Sequence, residues 1–318
     1  MIVKDNDRLA LNPLVTVQVY AFNKERYIGE CLDSIVNQKT SFEYEVIVSE
    51  NPGTDKTREI CLEYQKKYPE KIILVLREEN MGLFYNYFEA ERMSRGKYIA
   101  RCDGDDYWCD ENKLQKQVSF LENNPDYGMC YTRSRILDDE THTFKNEIGG
   151  LPWLGFKTNL LKEAVQQPTI MYKRELFRQY LEEIEPENKG WLMEDVPRTL
   201  WFAYNSKIER LDDITAVYRI VSNSLSHQVD YDKQEQYHRS ILDIRLFFYN
   251  RYCPGETELI KSLYNDYYRR NIATAYSILD FKHLFENIIH YNYTSLKEVI
   301  RNGCVVCKAI VKRIFNNK

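Results

Sequence analysis

Asp103, Asp105 and Asp106 put three carboxylates within four positions, in the run Asp103-Gly104-Asp105-Asp106-Tyr107-Trp108. Like charges this close repel one another unless a counter-charge neutralises them. Oxygen-only ligands suit a hard cation such as Mg²⁺ or Mn²⁺, which commonly takes one or two protein carboxylates and fills its shell with substrate phosphates. A solvated acidic turn is the alternative reading of the run. Gly104 lets the backbone bend tightly and approach a ligand. A second group, Glu50-Asn51-Pro52-Gly53-Thr54-Asp55, has a Pro-Gly turn and a residue able to cap the next helix. Its carboxylate and amide could read the edge of a nucleobase, or simply belong to a common turn. Tyr20-Ala21-Phe22-Asn23 offers an aromatic surface for a flat base, or core packing.

Each of these groups follows a short apolar run. Leu14–Tyr20, Glu45–Ser49, Ile72–Leu76 and Lys97–Asp103 read as strands. Between them, Tyr27, Ile28, Cys31, Leu32, Ile35 and Val36 mark one helical face, and Ile60, Cys61, Tyr64 and Tyr68 another. Leu83, Phe84, Tyr87 and Phe88 begin a third. Strands alternating with helices imply an α/β fold whose parallel sheet is covered on both faces. Ligands collect at the carboxyl ends of such strands, where the polar groups stand. Farther on, Glu111–Asn123 reads as a helix, Tyr127–Leu137 and Ile208–Ile220 as strands with a helix around Pro197–Tyr204 between, and the chain from Tyr231 as helices.

The 318 residues are 43% hydrophobic and 29% charged, an ordinary globular balance long enough for one large domain or two modest ones. Lys and Arg number 44 against 48 Asp and Glu, a net charge of −4 that argues against nucleic acid as a partner. No apolar run approaches a membrane span and no signal-peptide pattern opens the chain, so a cytoplasmic location is expected. The eight cysteines are scattered, as buried thiols in a reducing compartment would be, and Cys304-x-x-Cys307 has no second pair at zinc spacing. Neither GxGxxG nor GxxxxGK[ST] occurs, so a bound nucleotide diphosphate would be neutralised by a metal and not by a glycine cradle.

Taken together the motifs resemble family 2 glycosyltransferases of the GT-A fold, inverting enzymes that use nucleotide-diphosphate sugars. The resemblance rests on VTVQVYAFNKERYIGECLDSIVNQ (15–38), EVIVSENPGTDKT (45–57), Asn80-Met81-Gly82 and GKYIARCDGDDYW (96–108). It is close to about residue 137, looser to about 227, and does not cover the helical remainder. It implies a glycosyltransferase domain over 1–230, with a nucleotide-binding half (1–110) and an acceptor half (111–230), and a helical region over 231–318. It further implies that Tyr20, Phe22, Glu50 and Asn51 meet the base and that Asp103 lies near ribose and base. Asp105, with Asp106, would hold Mg²⁺ or Mn²⁺ against the diphosphate. Glu194-Asp195, in GWLMEDVPRTLWFAY, resembles the segment supplying the catalytic base, with Asp195 preferred; helix capping ahead of Pro197 is the alternative. Tyr218-Arg219 resembles the closing segment near the donor phosphates.

The chain departs from the family pattern in three places. Tyr20-Ala21-Phe22-Asn23 replaces Pro-Thr-Tyr-Asn, Glu50-Asn51 replaces an acidic pair, and Val221 stands where a histidine often follows Tyr-Arg. His227 is a substitute for that histidine at the metal, or an ordinary loop residue. The expected activity is metal-dependent inverting transfer from a nucleotide sugar, a UDP-sugar first, to a glycan or lipid-linked hydroxyl in surface polysaccharide synthesis. A sugar-nucleotide nucleotidyltransferase and a non-catalytic sugar-nucleotide-binding protein are the rivals. The tail 301–318 carries five basic residues, no acidic ones and several apolar ones, so it either lies peripherally on an anionic membrane or docks on its own domain.

Overall fold

In chain order the first part of the molecule forms β1 (Ile2–Val3), β2 (Val15–Ala21), α1 (Ile28–Val36), β3 (Tyr44–Glu50), α2 (Thr57–Lys67), β4 (Ile72–Leu76), α3 (Leu83–Met93) and β5 (Tyr98–Asp103). There follow β6 (Tyr107–Trp108), α4 (Lys113–Asn123), β7 (Tyr127–Asp138), β8 (Thr143–Gly149), α5 (Phe156–Asn159), β9 (Ile170–Lys173), α6 (Arg174–Ile184), α7 (Asp195–Asn205) and β10 (Lys207–Ile220). The computed structural model describes residues 1–3, 7–222, 224 and 230–291. It divides into two compact units, 1–221 and the residues from 222 onward.

Alternation along the strands decides what covers each face. Val15, Val17, Val19 and Ala21 of β2 join Val46 and Val48 of β3 in a core with α1, Cys61 of α2 and Leu114, Val118 and Leu121 of α4. Tyr20, Ile47, Ile73 and Val75 form a second cluster with Tyr87 and Ala90 of α3. A fully buried aliphatic side chain stabilises by about 1.5–3 kcal/mol relative to an exposed one, so this double-sided burial anchors the strand ends. The strands lie in the order β1-β4-β3-β2-β5-β9-β7-β10-β6. β4, β3, β2 and β5 are mutually parallel, as the alternating pattern requires, and β7 pairs β10 in parallel. β9 runs antiparallel to both β5 and β7 and so sews the two halves together. The sheet is thus parallel under the first half and mixed beyond it. β6, β8, β9 and α6 have no counterpart in the expectations from sequence. The two strands β6 and β9 are too short to carry a period, and β8 is mostly exposed.

The second unit contains α8 (Tyr231–Tyr252), α9 (Thr257–Ser277) and α10 (Phe281–His290). Asp230 and Asp280 accept from the backbone of Lys233 and His283 and so cap α8 and α10. Arg245 of α8 donates to Asp266 of α9 at 2.6 Å, and His238 Nδ1 lies 2.7 Å from Asn271 Oδ1. No helix among the described residues is long and apolar enough to cross a membrane. The tail 301–318, with Cys304 and Cys307, lies outside the described residues, as does His227.

Candidate active site

The acidic run turns directly out of β5. Asp106 N–H donates to Asp103 O at 2.9 Å, and Gly104 N–H donates to Tyr20 O at 3.0 Å. A Cβ on Gly104 would stand 2.9 Å from that same carbonyl, which is why the turn hugs β2 only with glycine there. Arg219, at the end of β10, pins the turn from the far side. Its backbone N–H donates to Asp106 Oδ1 at 2.7 Å, its Nε to Asp105 O at 2.8 Å, and its Nη2 to Glu30 at 2.6 Å. Asp139, which accepts from Tyr27 OH at 2.6 Å, lies 3.6 Å from Nη1.

These contacts give the three aspartates different environments. Asp105 is partly exposed and pairs with Lys24 Nζ at 2.5 Å. Burial, then the charge of Asp105, pushes Asp103 up to about 7. Asp106 is buried, and the same two causes raise its carboxyl well above the usual range. With Oδ1 taken by the Arg219 backbone, Asp106 holds the turn. Arg219 stands beside the turn, with its guanidinium also paired with Glu30 and Asp139.

At the end of β3, Glu50 is buried and its Oε2 accepts from Arg58 of α2 at 2.8 Å. Burial raises its carboxyl despite that guanidinium. Glu50 Oε1 and Asn51 Oδ1 are buried and lack partners among the described residues. Such atoms are costly to leave unsatisfied, and their clustering marks a place for a ligand carrying N–H groups. Tyr20 is not part of that place. Its ring packs edge-on against Tyr87 at 4.1 Å, and its hydroxyl donates to Gln18 Oε1 at 2.8 Å inside the core. Phe22 is 43% exposed and is the aromatic residue left to meet a base.

Glu194 precedes α7, and Asp195 is that helix's first residue. Glu194 is wholly buried; its Oε2 accepts from Arg101 Nη1 and, at 2.8 Å, from Arg198 Nη1. Glu194 is thus tied into the interior by two guanidiniums, whereas Asp195 is partly exposed. Asp195 lines a recess with Asn159, Glu163, Gln167 and Thr199. Burial, then Glu163, pushes it up to about 6. Its charge adds a smaller contribution to the raising of Asp103.

The Glycosyl transferase family 2 model matches residues 16–184, just over half of the chain. The chain belongs to glycosyl transferase family 2. An uncharacterized protein of Mycobacterium tuberculosis (strain ATCC 25618 / H37Rv) is 30% identical over 227 residues, which cover 68% of this chain and 61% of that relative. The chain therefore matches less than two thirds of that relative's length. Two solved structures share the GT-A fold at low identity. Staphylococcus aureus TarS 1-349, in complex with UDP-GlcNAc, has a TM-score of 0.54 at 17% identity, covering 86% of this chain and 88% of that one. The mannosyltransferase PcManGT of Pyrobaculum calidifontis, in complex with GDP-Man and Mn2+, has a TM-score of 0.57 at 16% identity, covering 97% and 89%.

Sequence reasoning missed Lys24, Arg58 and Arg101, the cations that hold this family 2 site together. Arg101 left a signal, a charge inside an otherwise apolar strand (KYIARC). Lys24 and Arg58 left none, since solvated lysines and arginines look the same in sequence.

Proposed function

We propose that the chain transfers a sugar, with inversion, from a nucleotide-diphosphate donor to a hydroxyl of a glycan or lipid-linked acceptor. The observation that carries this is that a family 2 chain sets the Asp103–Asp105 turn at the carboxyl ends of parallel strands and has Asp195 lining a recess at the start of α7. Asp195 takes the proton from the acceptor hydroxyl as its oxygen bonds to the anomeric carbon. The bond from that carbon to the diphosphate breaks on the opposite face, and the diphosphate leaves with the electron pair. A positioned carboxylate contributes about 10²–10⁴-fold to such a step.

Mg²⁺ or Mn²⁺ suits the residues present. Asp105 is a partly exposed carboxylate balanced by one lysine, beside an Asp103 whose carboxyl is raised by burial and then by the charge of Asp105. No group of three or more His, Cys, Asp or Glu is gathered for a metal among the described residues. A hard cation held by Asp105 would complete its shell with donor phosphates. When bound, the ion would supply positive charge for the departing diphosphate.

The donor base is read by Glu50 and Asn51, with Phe22 beside it. Glu50 Oε1 and Asn51 Oδ1 are two acceptors without partners, which suits the N–H edge of a base, and a UDP-sugar is the first donor to test. The basic charge of the tail 301–318 supports peripheral contact with anionic lipid near a lipid-linked acceptor, with docking on its own domain as the alternative. Thermal shift with UDP-, GDP- and dTDP-sugars plus Mn²⁺, followed by nucleotide release with glycan acceptors, tests the assignment. A stabilising donor that is consumed only with acceptor supports it; stabilisation without release in any mixture favours a binding protein.

A further inference from the structure

The donor strand and the base helix meet in a buried charge triad. Arg101 lies on β5, two residues before Asp103, and its side chain is 1% exposed. It is walled by rings, with its guanidinium carbon 4.8 Å from the centroid of Tyr87, 5.3 Å from Phe177, 5.6 Å from Tyr172 and 5.7 Å from Tyr20. Its Nε donates to Tyr172 OH at 2.9 Å, and its Nη1 to Glu194. Glu194 also accepts from Arg198, one turn along α7, and Arg198 Nη2 donates to Gln167 at 3.0 Å.

Hydrophobic burial alone would ask for an aliphatic residue at position 101. Two guanidiniums sharing one carboxylate in a dry interior do not outdo well-packed apolar side chains in stability. What such a cluster does supply is a fixed relative position, because removing one partner leaves an uncompensated buried charge. The triad joins the strand that ends in Asp103 and Asp105 to the residue immediately before Asp195.

We propose that Arg101 and Glu194 are positioning residues that lock the base Asp195 to the donor site, so that filling the donor site orders the start of α7. The proposal rests on the glycosyl-transfer reading above. Neither residue touches the reacting atoms; both act through Asp195. A displacement of about 1 Å at a base costs on the order of 10²-fold in rate, so a loosened triad lowers kcat and leaves donor binding intact.

Hydrogen exchange on the full chain with UDP and Mn²⁺ tests the coupling, using wild type, Arg101→Met, Arg101→Lys and Glu194→Gln. In wild type, UDP and Mn²⁺ should slow exchange both at 45–51 and 98–108 and at 191–200. In Arg101→Met and Glu194→Gln the first two segments should stay protected while 191–200 exchanges as in the free protein, with Arg101→Lys restoring part of the effect. With a competent donor, kcat should fall about 10²-fold in these two variants and donor KM should move less than twofold. If Arg101→Met does not fold, the near-isosteric Glu194→Gln decides. Equal protection of 191–200 in the folded variants overturns the lock while leaving the transfer reading standing. No protection anywhere in wild type overturns both.

Discussion

At the scale of single residues, the site is a set of carboxylates made unequal by their neighbours. Asp195 works as a base only when ionised. With its carboxyl at about 6, turnover should rise with pH through that value and level off above it. Glu163 is the second cause of that shift, so Glu163→Gln should move the acid limb of the pH–rate profile to lower pH. A limb that stays in place would assign it to another group. Asp195→Asn should keep UDP binding within about twofold in calorimetry and lose about 10²–10⁴-fold in kcat. Asp105 is the other decisive residue. Asp105→Ala should fold, since its side chain serves only Lys24, yet lose Mn²⁺-dependent nucleotide binding. EDTA should reproduce that loss in wild type, and full activity in EDTA would defeat the metal assignment.

At the scale of elements, the acidic turn is as rigid as the parts that grip it. Arg219 grips it from β10 through two hydrogen bonds, ties it to Glu30 of α1 through a third, and is almost wholly enclosed. Hydrogen bonds to charged partners contribute about 1.5–3 kcal/mol each when desolvated. Arg219→Met keeps the backbone bond to Asp106 and removes the other two. It should lower the melting temperature by roughly 4 °C or more and weaken UDP–Mn²⁺ binding. Unchanged binding in calorimetry would show that the turn holds itself. The elements themselves were legible where a period was long enough to see: β2 through β5 and their crossover helices follow from the alternation of valine and isoleucine with helical faces. β9 was not, because Ile170–Lys173 is four residues that gain meaning only when β5 and β7 flank them. The site was legible as a list of acids at strand ends. Its division of labour was not, because Asp106, Arg219, Glu194 and Tyr20 owe their roles to partners far away in the chain.

At the scale of the whole molecule, the buried ionisable groups make stability a readable function of pH. Glu91 of α3 is 2% exposed, and burial outweighs Arg101, Arg174 and Arg178 to push its carboxyl up to about 7 from an ordinary 4.5. Between those values the folded chain holds a proton that the unfolded chain releases, so stability falls as pH rises, by about 1.4 kcal/mol per pH unit for each such group. Asp195 adds to the fall up to about pH 6, and His238, held below its ordinary range chiefly by burial, opposes it as a single group. Above pH 7 the sign reverses. Lys113 is wholly buried against Trp108, and burial brings its ammonium down to about 7. There the unfolded chain binds the extra proton, and stability climbs with pH until the buried Cys61 and Cys130, pushed up to about 12 from 9, begin to oppose it near pH 9. The ligand-free protein should therefore be least stable near neutrality in urea titrations taken from pH 5 to 9. Asp103, pushed up to about 7, and Asp106, raised as well, pull the same way as Glu91, so Glu91→Gln should make the acid side of that trough shallower without levelling it, and Lys113→Met should flatten the alkaline side. A single monotonic rise from pH 5 to 9 would mean that water reaches these groups and that the interior around the donor strand is not dry.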